Sequence, residues 1–238
     1  APVFANGDLT LIDGRIVPST VEAAFRAGRQ SPAPLIIGTN SAEFWWMKPT
    51  DRNGYGMIDD DMTWLERAQI TQAYGGEAGF DRGFITDAVF SEPARLLARL
   101  HAAAGRPAYL YRFDISSPDN PEPHGGATHA IERPYVFGTL SLLPYPVRPV
   151  DQAASQAMMG YWTSFARSGD PNGVGRPDWP MAAGKGNPTL LLIRNDGPVA
   201  VPTPDAGRLD LIEQFRERPR GRPRALRPDE DAARPYQH

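Results

Sequence analysis

Two short apolar runs, each followed by a residue suited to acid–base chemistry, constrain this 238-residue chain most strongly. The first run extends from Pro34 to Asn40 and is followed by Glu43. The second, from Tyr109 to Phe113, is separated from His129 by a loop rich in Pro, Gly and Asp. Short apolar runs bounded by turn signals are typical of buried strands. Because open α/β sheets gather functional side chains at the carboxyl ends of their strands, we expect Glu43 and His129 at one edge of a sheet.

The segments around these runs show apolar residues at helical spacing. Asn195-Asp196-Gly197 between two β-rich runs predicts a hairpin. The predicted helices cover 21–27, 62–74, 80–90, 91–105, 150–168 and 205–218, and the hairpin strands cover 189–193 and 199–201. In the helix over 91–105 the expected buried residues are Leu96, Leu97, Leu100 and Ala103, with Arg95 and Arg99 outside and His101 at the surface or its boundary.

Alternation of strands and helices predicts an α/β layer architecture. Two buried strands and a hairpin are too few for a self-sufficient sheet, so we expect the chain to complete a sheet begun by an upstream chain or segment. We assign residues 1–218 to one domain and residues 219–238, rich in Arg and Pro, to a mobile tail. The start at Ala1, without methionine or signal peptide, predicts a fragment or a processed half.

Composition narrows the function classes. A net charge of −3 with scattered Lys and Arg argues against a nucleic-acid partner. The absence of cysteine removes disulfides, zinc–thiolate sites and cysteine nucleophiles. No apolar run approaches the ~20 residues that a membrane span needs. The cellular compartment stays undetermined, with a secreted or periplasmic location open.

An acid followed in chain order by a histidine, each after a strand, matches the later part of the Ser, Asp/Glu, His order found in α/β-hydrolases. In such a site the histidine is the base and the carboxylate orients its ring. Glu43 and His129 suit these two roles, although a carboxylate at a strand end often caps a helix and a histidine often binds a backbone carbonyl. The nucleophile motif Gly-x-Ser-x-Gly is absent, and Ser41 and Ser141 lack its glycines.

Three further patterns contain residue types that could take part in catalysis or binding. His129 and Glu132 have the spacing of adjacent helical turns, but no second histidine has zinc-site spacing, so we predict no metal or cofactor and interpret Glu132 as an anchor of the loop. His124-Gly125-Gly126 follows the acid in the chain and is interpreted as a flexible approach to His129. The aromatic residues of 44–59 predict either a substrate wall or an ordinary packed loop: Trp45, Trp46 and Tyr55.

Four blocks of sequence together resemble the carboxyl-terminal half of the type-B carboxylesterases, the cholinesterase and para-nitrobenzyl esterase family of α/β-hydrolases. The blocks are residues 13–43, residues 87–113, Gly126 to Thr139 and Trp162 to Trp179. The family's acid pattern, Gly-x-Asn-x-Asp-Glu-Gly, is similar to Gly38 to Phe44, with Ala42 in place of Asp and Phe44 in place of Gly. Its histidine pattern is similar to Gly126 to Gly138, with Arg133 in place of Leu.

The resemblance implies a carboxylic-ester hydrolase that acts on small-molecule esters through a Ser-His-Glu triad and an acyl-enzyme. Glu43 would be the acid and His129 the base, with no cofactor. The nucleophilic serine and the oxyanion loop would lie in a companion chain or segment. The alternative is a cholinesterase-like binding or adhesion module without catalysis, which retention of both Glu43 and His129 disfavours.

Overall fold

The computed structural model describes residues 12–44, 62–120 and 125–217. The helices are α1 Val21–Arg26, α2 Trp64–Ala73, α3 Glu77–Thr86, α4 Glu92–Ala103, α5 Arg133–Val136, α6 Pro149–Ser168 and α7 Ala206–Glu217. A π-helical segment, Asp87–Ser91, joins α3 to α4, and a 3₁₀ turn covers Leu140–Leu142. The strands are β1 Leu35–Asn40, β2 Ala108–Asp114, β3 Thr189–Arg194 and β4 Gly197–Pro202.

The four strands form one mixed sheet in the order β1-β2-β3-β4. β1 and β3 lie parallel to the central β2, and β4 runs antiparallel to β3 as the predicted hairpin partner. The pairing places Asn40 opposite Phe113, so β1 and β2 end at the same edge of the sheet. This architecture confirms the predicted α/β class.

Helices cover both faces of the sheet, and the alternation of side chains along β2 shows why. Tyr109 and Phe113 pack with α6, whereas Ala108 and Leu110 pack with α4. On the α6 side, Trp179 is fully buried and its indole N–H donates to the Leu110 carbonyl at 2.9 Å. Because successive strand residues point to opposite faces, one short strand supplies apolar surface to two helical layers.

A separate apolar cluster packs α3 against α7, the last described helix. Phe80 and Phe84 of α3 stack at 4.6 Å between ring centroids and pack with Ile212 and Phe215 of α7. None of the described helices combines the length and apolar character of a membrane span.

The burial of side chains in helix α4 differs in part from the pattern expected from the sequence. Arg95, expected outside, is 1% exposed because its guanidinium binds Asp210 and Glu213 of α7. His101, expected at the surface or its boundary, is buried, with Nε2 3.0 Å from the Ala33 carbonyl oxygen. Ala103, expected inside, is exposed. The predicted mobile tail, 219–238, lies outside the described residues.

Candidate active site

The loops that follow β1 and β2 are joined to each other at the sheet edge. Ser41 N–H donates to the Phe113 carbonyl at 3.0 Å, and Ala42 N–H donates to the Ala127 carbonyl at 2.9 Å. Ala42 also forms an isolated parallel bridge with Thr128. Backbone bonds therefore extend the strand pairing past the ends of β1 and β2, up to the residues next to Glu43 and His129.

The two candidate residues from the sequence meet at this edge. His129 Nδ1 lies 2.5 Å from Glu43 Oε2, and the other carboxylate oxygen, Oε1, accepts the Asn40 N–H at 2.7 Å. The Glu43 side chain is 6% exposed, whereas the His129 side chain is 44% exposed. A histidine whose Nδ1 is bound to a carboxylate has a defined ring orientation and carries its Nε2 on the opposite part of the ring.

Burial raises the pKa of Glu43 above the usual glutamate value, and the nearby charge of Glu132 acts in the same direction. The hydrogen bond from the Asn40 N–H and the contact with His129 act in the opposite direction, but they do not overcome burial. The carboxylate is thus held in a site that penalises its charge and depends on its two hydrogen-bond partners for compensation.

Asn40 connects the acid to the histidine loop. Its side-chain amide donates to the Thr128 carbonyl at 2.8 Å and to Glu132 Oε2 at 2.5 Å, while its backbone N–H binds Glu43. The predicted anchoring role of Glu132 is confirmed by this bond. Asn40 stands in the Gly38-Thr39-Asn40 pattern, but its role does not follow from the sequence because its partners lie 88 and 92 residues away.

Two glycines near the Glu43–His129 pair lie where neighbouring side chains leave no room for a Cβ atom. A Cβ on Gly126 would lie 2.6 Å from Ser41 Oγ, and a Cβ on Gly38 would lie 2.2 Å from the Tyr111 ring. Such distances require displacement of the neighbouring group. These glycines therefore allow the two loops and the two strands to pack directly against each other.

The residue after the histidine has an unusual backbone conformation. Ala130 has a φ of 63°, in the left-handed region that non-glycine residues rarely adopt. Its carbonyl accepts hydrogen bonds from the Arg133 N–H and, at 3.2 Å, from the Arg133 side-chain Nε. Arg133, which departs from the family pattern, thus stabilises the turn that presents His129.

Of the remaining residues considered in the sequence, some lie within the described ranges and some lie outside them. Ser41 lies near Glu43, but its Oγ accepts the Ala127 N–H at 2.8 Å. No cluster of three or more metal-ligating side chains occurs within the described ranges. The other candidates lie outside the described residues: Trp45, Trp46, Tyr55 and His124.

Similarity to known proteins identifies the family of this chain. The sequence profile of the carboxylesterase family matches residues 82–204, more than half of the chain. The chain belongs to the carboxylesterase family. The matched range includes His129, whereas Glu43 precedes it.

Among relatives, the chain is 30% identical over 200 residues to liver carboxylesterase of Sus scrofa. The aligned region covers 72% of this chain and 35% of that protein. It is 41% identical over 92 residues to bile salt-activated lipase of Mus musculus, across 37% of this chain and 15% of that protein. The chain thus spans about a third of the length of the carboxylesterase to which it is similar.

Solved structures agree on the fold. EstA of Aspergillus niger superposes with a TM-score of 0.69 at 20% identity, over 86% of this chain and 44% of that one. A PNB esterase superposes with a TM-score of 0.65 at 22% identity, over 84% and 42% of the two chains. These similarities show a partial α/β-hydrolase fold.

Proposed function

We propose that this chain is the carboxyl-terminal part of a carboxylic-ester hydrolase, in which Glu43 and His129 are the acid and base of a Ser-His-Glu triad. The observation that carries the proposal is the 2.5 Å contact between His129 Nδ1 and Glu43 Oε2 at the end of two parallel strands. Membership of the carboxylesterase family and the fold support it. Residues 1–218 are assigned to one catalytic domain on the same grounds.

The geometry suits proton transfer through His129. Nε2 takes the proton of the serine hydroxyl while the serine oxygen bonds to the ester carbonyl carbon. The tetrahedral intermediate then collapses, the bond to the alcohol oxygen breaks, and His129 returns the proton to the departing alcohol. Water attacks the acyl-enzyme by the same steps, with the serine as leaving group. Glu43 holds Nδ1 and stabilises the positive imidazolium during each transfer.

The serine and the oxyanion donors are assigned to a chain or segment outside these residues. No Gly-x-Ser-x-Gly occurs in the sequence, and Ser41, two residues before Glu43, accepts the Ala127 N–H. Within the described residues, β1 pairs with β2 on one side and is the outer strand of the sheet. Its other side suits a further strand from that chain or segment.

A binding or adhesion module without catalysis is the second candidate. Such a module needs the fold and a surface but has no use for a carboxylate in a site that raises its pKa. Groups with perturbed pKa values concentrate at functional sites. The buried Glu43 facing the partly exposed His129 therefore favours the enzyme.

The test is a double-mutant cycle in the complete enzyme. Glu43→Gln keeps the size of the side chain but removes the charge that stabilises imidazolium, so kcat/KM for a simple ester should fall by orders of magnitude, up to ~10⁴-fold. His129→Ala should lower it at least as much. The double variant should be little worse than the single variants, because both residues serve one proton transfer.

The matched control is His101→Ala, which removes a histidine of α4 whose Nε2 lies 3.0 Å from the Ala33 carbonyl oxygen. It should reduce thermal stability while kcat/KM of the folded protein stays near wild type. A folded Glu43→Gln enzyme with near-normal kcat/KM would exclude Glu43 as the acid. Additive losses in the double variant would show that the two residues act separately.

A further inference from the structure

Three rings form a mutually contacting group at the site. The His129 imidazole lies 4.8 Å from the Phe44 ring and 5.5 Å from the Phe90 ring, measured between centroids. Phe44 and Phe90 contact each other edge to face, with centroids 4.8 Å apart and planes at 88°. Edge-to-face packing at this distance is the favoured arrangement of aromatic pairs. The imidazole therefore rests against a small aromatic wall made of Phe44 and Phe90.

Phe90 reaches the site from the π-helical segment between α3 and α4. The Glu92 N–H binds the Asp87 carbonyl, five residues earlier, which is the wider π pattern. The additional residue in this turn shifts the faces of α3 and α4 relative to each other by about 100°. The segment can thus direct Phe90 to His129 while α3 and α4 each keep their own buried face.

Both ends of the π-helical segment are fixed by buried acids. Asp87 accepts a hydrogen bond of 2.7 Å from the Tyr74 hydroxyl and one of 3.2 Å from Arg208 Nε. Glu92, fully buried, is paired with Arg216 of α7. These contacts hold the segment in its irregular form, and π-helical turns are frequently found at functional sites.

We propose that Phe44 and Phe90 are positioning residues that act through His129: the aromatic wall keeps the imidazole in the orientation in which Nδ1 binds Glu43. The His129 side chain is 44% exposed even with Phe44 and Phe90 against it, and a single hydrogen bond to Glu43 does not by itself fix both of its side-chain torsions. Rings against the imidazole restrict those torsions and shield the Nδ1···Oε2 bond. The effect of these residues on catalysis rests on the proposed function. Their effect on the orientation of the His129 ring does not.

Phe44 is also one of the departures from the family pattern, directly after the acid. One loop consequently supplies both the hydrogen-bond partner of Nδ1 and a ring that contacts the imidazole. The wall therefore combines one residue from the acid loop with one from the π-helical segment.

The experiment replaces Phe90 with Leu, which fills similar space without a ring. The first readout is proton NMR of the Nδ1 proton of His129, identified by its loss in Glu43→Gln and His129→Gln. In wild type this proton should give a sharp low-field signal, and in Phe90→Leu the signal should broaden or vanish through exchange with water. In the complete enzyme, kcat should fall by about 10-fold to 100-fold with KM nearly unchanged, as expected for a misplaced catalytic group. Phe90→Tyr, which restores a ring, should recover both readouts.

Phe25→Leu is the matched control, because Phe25 contacts His101 at 5.8 Å in a similar pairing between α1 and α4. It should leave the His129 signal and kcat unchanged at a comparable loss of thermal stability. Phe44→Leu provides a second test if Phe90→Leu does not fold. An unchanged signal and kcat in a folded Phe90→Leu protein would overturn the inference. A wild type that shows the signal but no esterase activity would instead overturn the proposed function.

Discussion

At the residue scale, the sequence predicted that Glu43 and His129 lie at one edge of the sheet, but not the contacts that hold them there. The residue types, their order and their positions after strands led to Glu43 and His129, and the structure brings these two together. Asn40 and Phe90 were not predicted, because their contacts are with residues on elements far apart in the chain. Only the register of β1 on β2 and the extra residue of the π-helical segment bring them to the site.

The raised pKa of Glu43 predicts a trade-off between activity and stability. Because the folded state binds the Glu43 proton more tightly than the unfolded state, the contribution of this group to stability is present below the ordinary glutamate pKa of ~4.3 and is lost as pH rises through the raised value. Glu43→Gln does not titrate. The unfolding free energy of this variant should therefore improve relative to wild type as pH rises, whereas the proposed function predicts that its activity falls.

Asp151→Asn supplies a control, because the pKa of Asp151 is shifted in the direction opposite to that of Glu43. Burial opposes the charge of Asp151, but hydrogen bonds from Arg148 and Tyr135 outweigh it and lower the pKa of Asp151. The stability that this carboxylate contributes is present above the ordinary aspartate pKa of ~3.9 and is lost as pH falls through the lowered value. Urea unfolding from acid to neutral pH would measure both differences. Parallel profiles for Glu43→Gln and wild type would contradict the account of Glu43.

At the element scale, the apolar stripe of α6 was well predicted, whereas the burial pattern of α4 was not. Helix α6, Pro149–Ser168, buries Met158 and Tyr161 as its spacing predicts. In α4, by contrast, Arg95 is buried because α7, more than a hundred residues later, provides Asp210 and Glu213. Arginine is rarely buried without a partner, so its position cannot be assigned before the partner helix is known.

This buried ion pair leads to a stability prediction for the contact of α4 with α7. Glu213 binds Arg95 at 2.9 Å and Arg99 at 2.7 Å, and Glu213→Gln leaves the buried Arg95 paired only with the half-exposed Asp210. Removing one partner of a buried pair costs about 3 kcal/mol in unfolding free energy. Asp196→Asn, which breaks the exposed pair with Arg194, should cost less than about 1 kcal/mol. Equal losses in chemical unfolding would show that burial does not set the cost.

At the scale of the whole molecule, the class of fold follows from the sequence but the strand order does not. Alternating strands and helices predicted an α/β architecture, and the hairpin signal at Asn195-Asp196-Gly197 placed β4 beside β3. Which strand lies at the outside depends on pairings between distant segments. The structure places β1, an apolar run, beside β2 at the outside of the described sheet, with Leu35, Ile36 and Ile37 only partly buried.

An outer strand with apolar residues is a pairing surface, since its backbone N–H and C=O groups on one side have no strand partner within the described sheet. The proposed triad gives this surface an occupant, namely the chain or segment that carries the serine. A fluorophosphonate probe bonds covalently to an activated serine, so labelling of the native preparation followed by peptide mapping should place the label outside residues 1–238. His129→Ala should abolish labelling, whereas His101→Ala should preserve it. Label on a serine within these residues, or ester hydrolysis by residues 1–238 alone, would show that the nucleophile belongs to this chain, and Ser41 would then have to release Ala127 to act.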